Sequence, residues 1–345
     1  MEKVFVSPGM YLQGENILTS RFEELLQYGK RGLIVTDTFV YQLIGEDIIY
    51  RMTKSGCELT VWLVDTGDQI DLPEKTDFVL SIGGGRVIDL GKSIALREKK
   101  AYIVLPTSAS TDAPVSRISV AYDEKGYFQE YHYFSKGPDL VFVDTAILVN
   151  SPVHLLTAGI ADGLSTFVEA RTVWENHGLN TLGVRPTIAA QALAEKCKDV
   201  LLANAVDAVE ANKEQKVTPE FEAVVEANTL LSGIGFESGG LSIAHSLHNA
   251  LMSKFGKKIK ASHGQIIAVT TLIHLKVETR KELSAYQQLF QKLSLPITIR
   301  ELGIQLDDAA IGQIAELAFT ANDGIVRSGS TITKSELIEA IQAFK

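Results

Sequence analysis

Apolar residues fall into two textures along this chain, and the change comes near residue 150. Up to that point, short β-branched runs alternate with stretches of helical spacing. Residues 32–37 form a continuous apolar run that ends in polar residues, as a strand buried on both faces does. Runs at 59–64, 78–82, 102–105 and 140–143 share that character, and residues 41–54, between the first two, have helical spacing. Strand and helix in alternation predict a parallel α/β sheet. Residues 1–6 also read as a strand. The interval between Val64 and Phe78 is short for a parallel crossover, so its helix is expected to shrink to a turn.

From Ser151 onward, alanine-rich helical segments dominate. Ser151-Pro152 predicts an N-cap followed by proline at the first helical position. Thr218-Pro219-Glu220 repeats that start, and Thr333 with Glu336 predicts a capping box before the last helix. The expected organisation is an α/β domain over residues 1–150 and a helical domain over 151–345. No internal repeat or low-complexity segment interrupts it.

Size and composition fit this picture. At 345 residues, 46% of them hydrophobic, the chain has ample apolar material for two domains. No stretch approaches the roughly 20 apolar residues a membrane span needs, and the start lacks the regions of a secretory signal. Two cysteines, Cys57 and Cys197, make no disulfide framework, so a cytoplasmic setting is expected. A net charge of −9 without a long basic stripe argues against a nucleic-acid partner.

Candidate chemistry begins with Ile82-Gly83-Gly84-Gly85-Arg86, which follows a predicted strand and opens a predicted helix. Glycines there let backbone approach a pyrophosphate, and the helix N-terminus supplies amide donors. A tight turn that binds nothing is the plain alternative. Asp37 ends an earlier strand, where a carboxylate would hydrogen-bond a ribose diol and repel a 2′-phosphate. It would equally serve as a helix cap, and the two roles are compatible.

Three of the seven histidines stand out. His245 and His248 are three apart in an apolar stretch, on one face if helical. His263 lies at a loop-to-helix start, and Asp162 sits among small and apolar residues, where an uncompensated carboxylate is expensive. One aspartate and two histidines would hold a divalent ion with open positions. Spacing alone favours the plainer reading, satisfied core and capping residues.

Several segments decide between these readings. Ala109-Ser110-Thr111-Asp112-Ala113-Pro114, Ala158-Gly159-Ile160-Ala161-Asp162 and Gly235-Phe236-Glu237-Ser238-Gly239-Gly240-Leu241 closely resemble motifs of the glycerol dehydrogenase family. So do the triple glycine, Ala244-His245-Ser246-Leu247-His248-Asn249 and His263-Gly264, in order through nearly the whole chain. The resemblance implies a dehydroquinate synthase-like fold: an N-terminal nucleotide-binding α/β domain and an all-helical C-terminal domain, with the active site between. It implies Asp162, His245 and His263 as metal ligands, Asp112 as a substrate contact and Phe236 as an aromatic wall beside it. It places Gly84, Gly85, Arg86, Thr107, Ser110, Ser116, Ile118 and Tyr122 along an NAD site, with Asp37 at the adenosine ribose. It further implies a homo-oligomer, often an octamer.

Iron-dependent relatives carry a further histidine four residues after the aspartate, where this chain has Thr166. An O, N, N ligand set with an open position then suits Zn2+ better than Fe2+. The implied reaction is oxidation of a small polyol, glycerol or a 1,2-diol, by hydride transfer from a metal-bound alkoxide to NAD. His248 either passes the alcohol proton outward or packs behind the ligands. Two departures from the family stand out: Arg86 in place of a usual lysine, and the basic segment Lys254, Lys257, Lys258, Lys260 between the histidine motifs. The lysines raise an alternative, a 2-hydroxy acid or polyol phosphate as substrate. A dehydroquinate synthase-like lyase is a further alternative.

Overall fold

A computed structural model of the chain describes residues 2–66, 72–122, 127–320 and 324–345. The strands are β1 (Tyr11–Gly14), β2 (Arg31–Thr36), β3 (Glu58–Leu63), β4 (Phe78–Gly83), β5 (Ala101–Pro106), β6 (Ile118–Tyr122), β7 (Phe128–Tyr133) and β8 (Leu140–Asp144). Six form one sheet in the order β1-β8-β5-β4-β2-β3, with every neighbouring pair parallel. The central strands β4 and β8 are buried at every position, which is why they read as continuous apolar runs and not as alternation.

Their side chains still divide with the two-residue period of a strand. Val79, Tyr102, Val104, Val141 and Val143 join a core that continues into the helical half. Leu80, Ile82, Ile103, Leu105 and Phe142 join a second core beneath Phe22, Ile48 and Met52. The segment at 41–54 opens as a wide turn over Tyr41–Gly45 and becomes helix α1 (Glu46–Lys54). Helix α2 (Gly85–Arg97) follows β4 directly.

The helical half contains α3 (Val153–Glu175), α4 (Ile188–Lys213), α5 (Pro219–Glu226), α6 (Ser232–Gly239), α7 (Ile243–Phe255), α8 (His263–Val277), α9 (Leu283–Lys292), α10 (Asp308–Thr320) and α11 (Lys334–Gln342). Thr218 caps α5 by accepting from Phe221 N, and Thr333 with Glu336 forms the predicted box at α11. At two points the backbones touch. A Cβ on Gly159 of α3 would lie 1.9 Å from the Ala109 carbonyl oxygen, and one on Gly264 of α8 would lie 2.1 Å from that of Ala158. Only glycine permits such approaches.

Two expectations are corrected, and one element is additional. Residues 2–6 form no strand: Lys3 makes one isolated bridge to Arg185, and Val6 N donates to Ser238 Oγ at 3.4 Å. That segment lies on the helical half, and the sheet edge is β1 instead. Pro152 has an extended ψ of 133°, so it is the cap of α3 and the helix starts one residue later than predicted. The antiparallel hairpin β6–β7 was not anticipated. In the 64–78 crossover, residues 67–71 lie outside the described residues, and no helix occurs in its described flanks.

Candidate active site

Parallel strands end together, so the loops leaving β2, β3, β4 and β5 share one edge. Asp37 follows β2 and caps the next turn, its Oδ1 accepting from Val40 N at 2.9 Å. Beyond β4, Gly84 caps α2, and Thr107 N donates to the Gly83 carbonyl at 3.2 Å. A Cβ on Gly85 would lie 2.9 Å from Thr111 Cγ2. Arg86 is exposed at this helix start, and Ser110 Oγ lies 3.1 Å from Ser108 Oγ. The edge thus gathers Asp37, Gly84, Gly85, Arg86, Thr107 and Ser110.

Ser116 and Ile118 are placed differently. Both are buried and tied to Lys92, a lysine with no exposed surface. Its Nζ donates to Ala113 O at 2.8 Å, Ser116 Oγ at 3.2 Å and Ile118 O at 2.6 Å, and lies 3.5 Å from Asp89 Oδ1. Burial pushes the Lys92 ammonium down from its usual pKa, against the pull of Asp89. Lys92 thereby fastens the segment after Asp112 to the helix that starts at the glycine turn. The side chain of Tyr122 lies outside the described residues.

Across the seam at Gly159, three helices converge. Asp162 lies one turn further along α3 and is 1% exposed, His245 is in the first turn of α7, and His263 is the first residue of α8. Ser262 before it is held by its own N–H, which donates to Gln265 Oε1 at 2.9 Å. The Nε2 atoms of His263 and His245 lie 3.2 and 3.7 Å from Asp162 Oδ1. All three groups offer ligand atoms within 4.8 Å of one another. Asp162 Oδ2 is buried and has no hydrogen-bond partner. A buried carboxylate oxygen left bare beside two imidazole nitrogens fits a divalent cation.

Electrostatics agree with that geometry. Burial acts to raise the Asp162 pKa, but His263 and then His245 outweigh it and hold the carboxyl below its usual value. Burial acts to lower His245, yet Glu169, Asp162 and Asp112 push it up to about 9. Asp112 is raised well above the carboxylate range, first by burial and then by Asp162. Its Oδ2 accepts from Ser232 Oγ at 3.1 Å, and Ser232 Oγ lies 2.9 Å from Thr166 Oγ1. Thr166 therefore faces the site through Ser232. Phe236, 8% exposed, follows Ser232 by one turn of α6.

His248 has both ring nitrogens engaged. Its Nε2 lies 3.0 Å from His263 Nδ1, and its Nδ1 lies 3.0 Å from Asn249 Oδ1, while Asn249 Nδ2 donates to Tyr131 OH at 2.8 Å. Burial first, and then His263, pushes its pKa well down. Glu169 escaped the sequence reading, though it stands seven residues after Asp162 on the same helical face, in the same apolar setting. Its Oε2 is 2.5 Å from His245 Nδ1. Among the four lysines, Lys254 donates to Gln313, and Lys257, Lys258 and Lys260 are exposed.

A glycine turn at the carboxyl edge of a parallel sheet, facing an Asp/His/His cluster, has the layout of a metal-dependent alcohol dehydrogenase. The family described as iron-containing alcohol dehydrogenase matches residues 14–152. The chain is 35% identical to a glycerol dehydrogenase of Thermotoga maritima over 348 residues, 98% of this chain and 95% of the relative. It is 36% identical to a glycolaldehyde reductase of Halobacterium salinarum over 315 residues, 88% and 86% of the two chains. The crystal structure of a Schizosaccharomyces pombe glycerol dehydrogenase superposes with a TM-score of 0.93 at 31% identity, covering 99% of this chain and 90% of that one. The chain belongs to the glycerol dehydrogenase family and is an alcohol or polyol dehydrogenase.

Proposed function

We propose that the chain interconverts a short polyol, glycerol or a 1,2-diol, and its hydroxycarbonyl, with NAD as hydride carrier and Zn2+ held by Asp162, His245 and His263. The observation that carries this is the convergence of the three ligand groups, with both histidine Nε2 atoms turned to Asp162 Oδ1 and its Oδ2 left bare, on a helix whose Gly159 touches the loop leaving β5. When bound, the ion would polarise the alcohol oxygen and ease loss of its proton. The remaining roles belong to side chains. Asp112, aimed by Ser232, binds a second hydroxyl of the substrate, and Phe236 presents an apolar wall. Amides at the start of α2 receive the pyrophosphate, with Gly84 and Gly85 keeping the approach open and Arg86 adding a cation. Thr107 and Ser110 line the rest of the cofactor bed, Ser116 and Ile118 are held in place through Lys92, and Asp37 takes the ribose diol.

His248 acts by orientation. With its two nitrogens occupied by His263 and Asn249, it keeps His263 turned with Nε2 toward the ion and has no nitrogen left for the alcohol proton. Buried, unpaired Cys57 and Cys197 suit a reducing, cytoplasmic compartment. No helix among the described residues is long and apolar enough to cross a membrane. Assembly as a homo-oligomer belongs to the same reading.

The test is an NAD-reduction screen over glycerol, 1,2-diols, hydroxy acids and polyol phosphates, with metal content measured on the same sample. Neutral diols are expected to win in zinc-loaded protein. The exposed lysines Lys257, Lys258 and Lys260, on the connection between two ligand helices, favour a second reading in which an anion wins and its KM rises with salt. Absence of turnover with every alcohol would overturn both.

A further inference from the structure

We infer that Glu169 is a positioning residue of the metal centre: it fixes His245 with Nε2 turned to the ion and supplies the second negative charge that a divalent cation calls for there. This rests on the metal site proposed above.

One face of α3 sets up the arrangement. Asp162, Thr166 and Glu169 follow one another at helical spacing, and all three are 1% exposed or less. Asp162 turns its carboxylate to the two histidines, Thr166 reaches Asp112 through Ser232, and Glu169 passes behind His245. The Glu169 carboxylate makes three contacts, all to the start of α7. Its Oε1 accepts from Ser242 N and His245 N at 2.9 Å each, and its Oε2 lies 2.5 Å from His245 Nδ1.

The consequence for the imidazole is definite. A carboxylate accepts, so Nδ1 keeps its hydrogen, and Nε2, the nitrogen 3.7 Å from Asp162 Oδ1, is the one that gives up its proton to present a lone pair to an ion. Two contacts on the backbone of Ser242 and His245, together with one on the ring, fix the position and rotation of the side chain at once. A carboxylate with no exposed surface, whose cationic influences among the described residues are the imidazoles of His245 and His274, is costly to bury. The α7 amides offset part of that cost, and a cation on the far side of the imidazole offsets more. Two carboxylates, Asp162 and Glu169, then balance a divalent ion while both histidines stay neutral.

A pure capping role for α7 predicts something else, so the test separates the two. Zinc affinity is measured by competition with a chromophoric chelator on the full chain and on Glu169→Gln, and the visible spectrum of each is recorded after loading with Co2+. Thermal unfolding of the metal-free forms is the structural control. We expect Glu169→Gln to bind zinc roughly 10–100-fold more weakly, with a shifted Co2+ spectrum. Equal affinity and superimposable spectra would leave Glu169 as a helix cap, whatever happens to metal-free stability. Wild-type protein that binds neither ion would instead overturn the metal site itself. Should Glu169→Gln fail to fold, Glu169→Asp, which withdraws the carboxylate by one methylene, is read by the same two criteria.

Discussion

At the strand edge the candidate site consists mostly of backbone, whereas in the helical half it consists of side chains that each answer to another side chain. Gly84, Gly85 and Thr107 contribute amides, carbonyls and the absence of atoms. His245 leans on Glu169, His263 on His248, and Asp112 on Ser232. The two regions should therefore fail in different ways. Deleting a side chain breaks the second, while adding one breaks the first.

The largest effect is expected at His263. His263→Ala should remove most bound metal and lower turnover roughly a thousandfold, while NAD affinity measured by fluorescence titration stays near wild type. Full metal occupancy in that variant would erase the contrast. Gly85→Ala is the reciprocal experiment. Its Cβ would press on Thr111 Cγ2 at 2.9 Å, so NAD affinity should drop about tenfold, worth about 1.4 kcal/mol. Metal content should not change, and an unchanged NAD affinity would show that the cofactor avoids this turn.

The side-chain region should also reveal itself in acid. Glu278 caps the C-terminal end of α8, opposite His263, accepting from Thr172 Oγ1 at 2.7 Å and Arg280 Nε at 2.8 Å. Burial acts to raise its pKa, but His274, Thr172 and Arg280 outweigh it and bring it from 4.5 to about 2. A lowered pKa means the stabilisation is complete above 4.5 and is lost as pH falls through about 2. Urea unfolding between those values should show a loss on the order of 2–3 kcal/mol that is absent from Glu278→Gln. A variant whose pH slope matches wild type would refute the assignment. The smallest effect is expected at Asp37. Asp37→Ala should cost about 1 kcal/mol as a lost cap and narrow the NAD over NADP preference in steady-state kinetics. Wild-type preference for NADP would sink the ribose role.

The same contrast explains what the sequence disclosed. Central strands were legible because burial on both faces makes them continuous apolar runs, and β4 and β8 show that pattern at every position. Caps at Thr218 and Thr333 were legible because their chemistry is local. The hairpin β6–β7 was not, since its outer strand reads Phe-Gln-Glu-Tyr-His-Tyr, with mostly half-buried or exposed positions. Asp162 stood out as a carboxylate in apolar surroundings, and the identical signal at Glu169 and, for a cation, at Lys92 went unread. Both occupy the buried face of a helix at regular spacing from residues that were noticed. The role of His248 was beyond reach for another reason: it depends on which ring nitrogen meets which partner, and spacing says nothing about that.

The contacts at Gly159 and Gly264 bear on how the substrate range of this enzyme can change. Where a helix meets a loop at Gly159 and another helix at Gly264, backbone to backbone, there is no side chain to shorten, so natural variation or engineering cannot make room from that side. On the reading proposed above, room for a longer alcohol would come from α6, where Ser232 and Phe236 present groups that can be trimmed. Selection for new substrates should accordingly leave the two glycines fixed and accumulate its changes along that single helix.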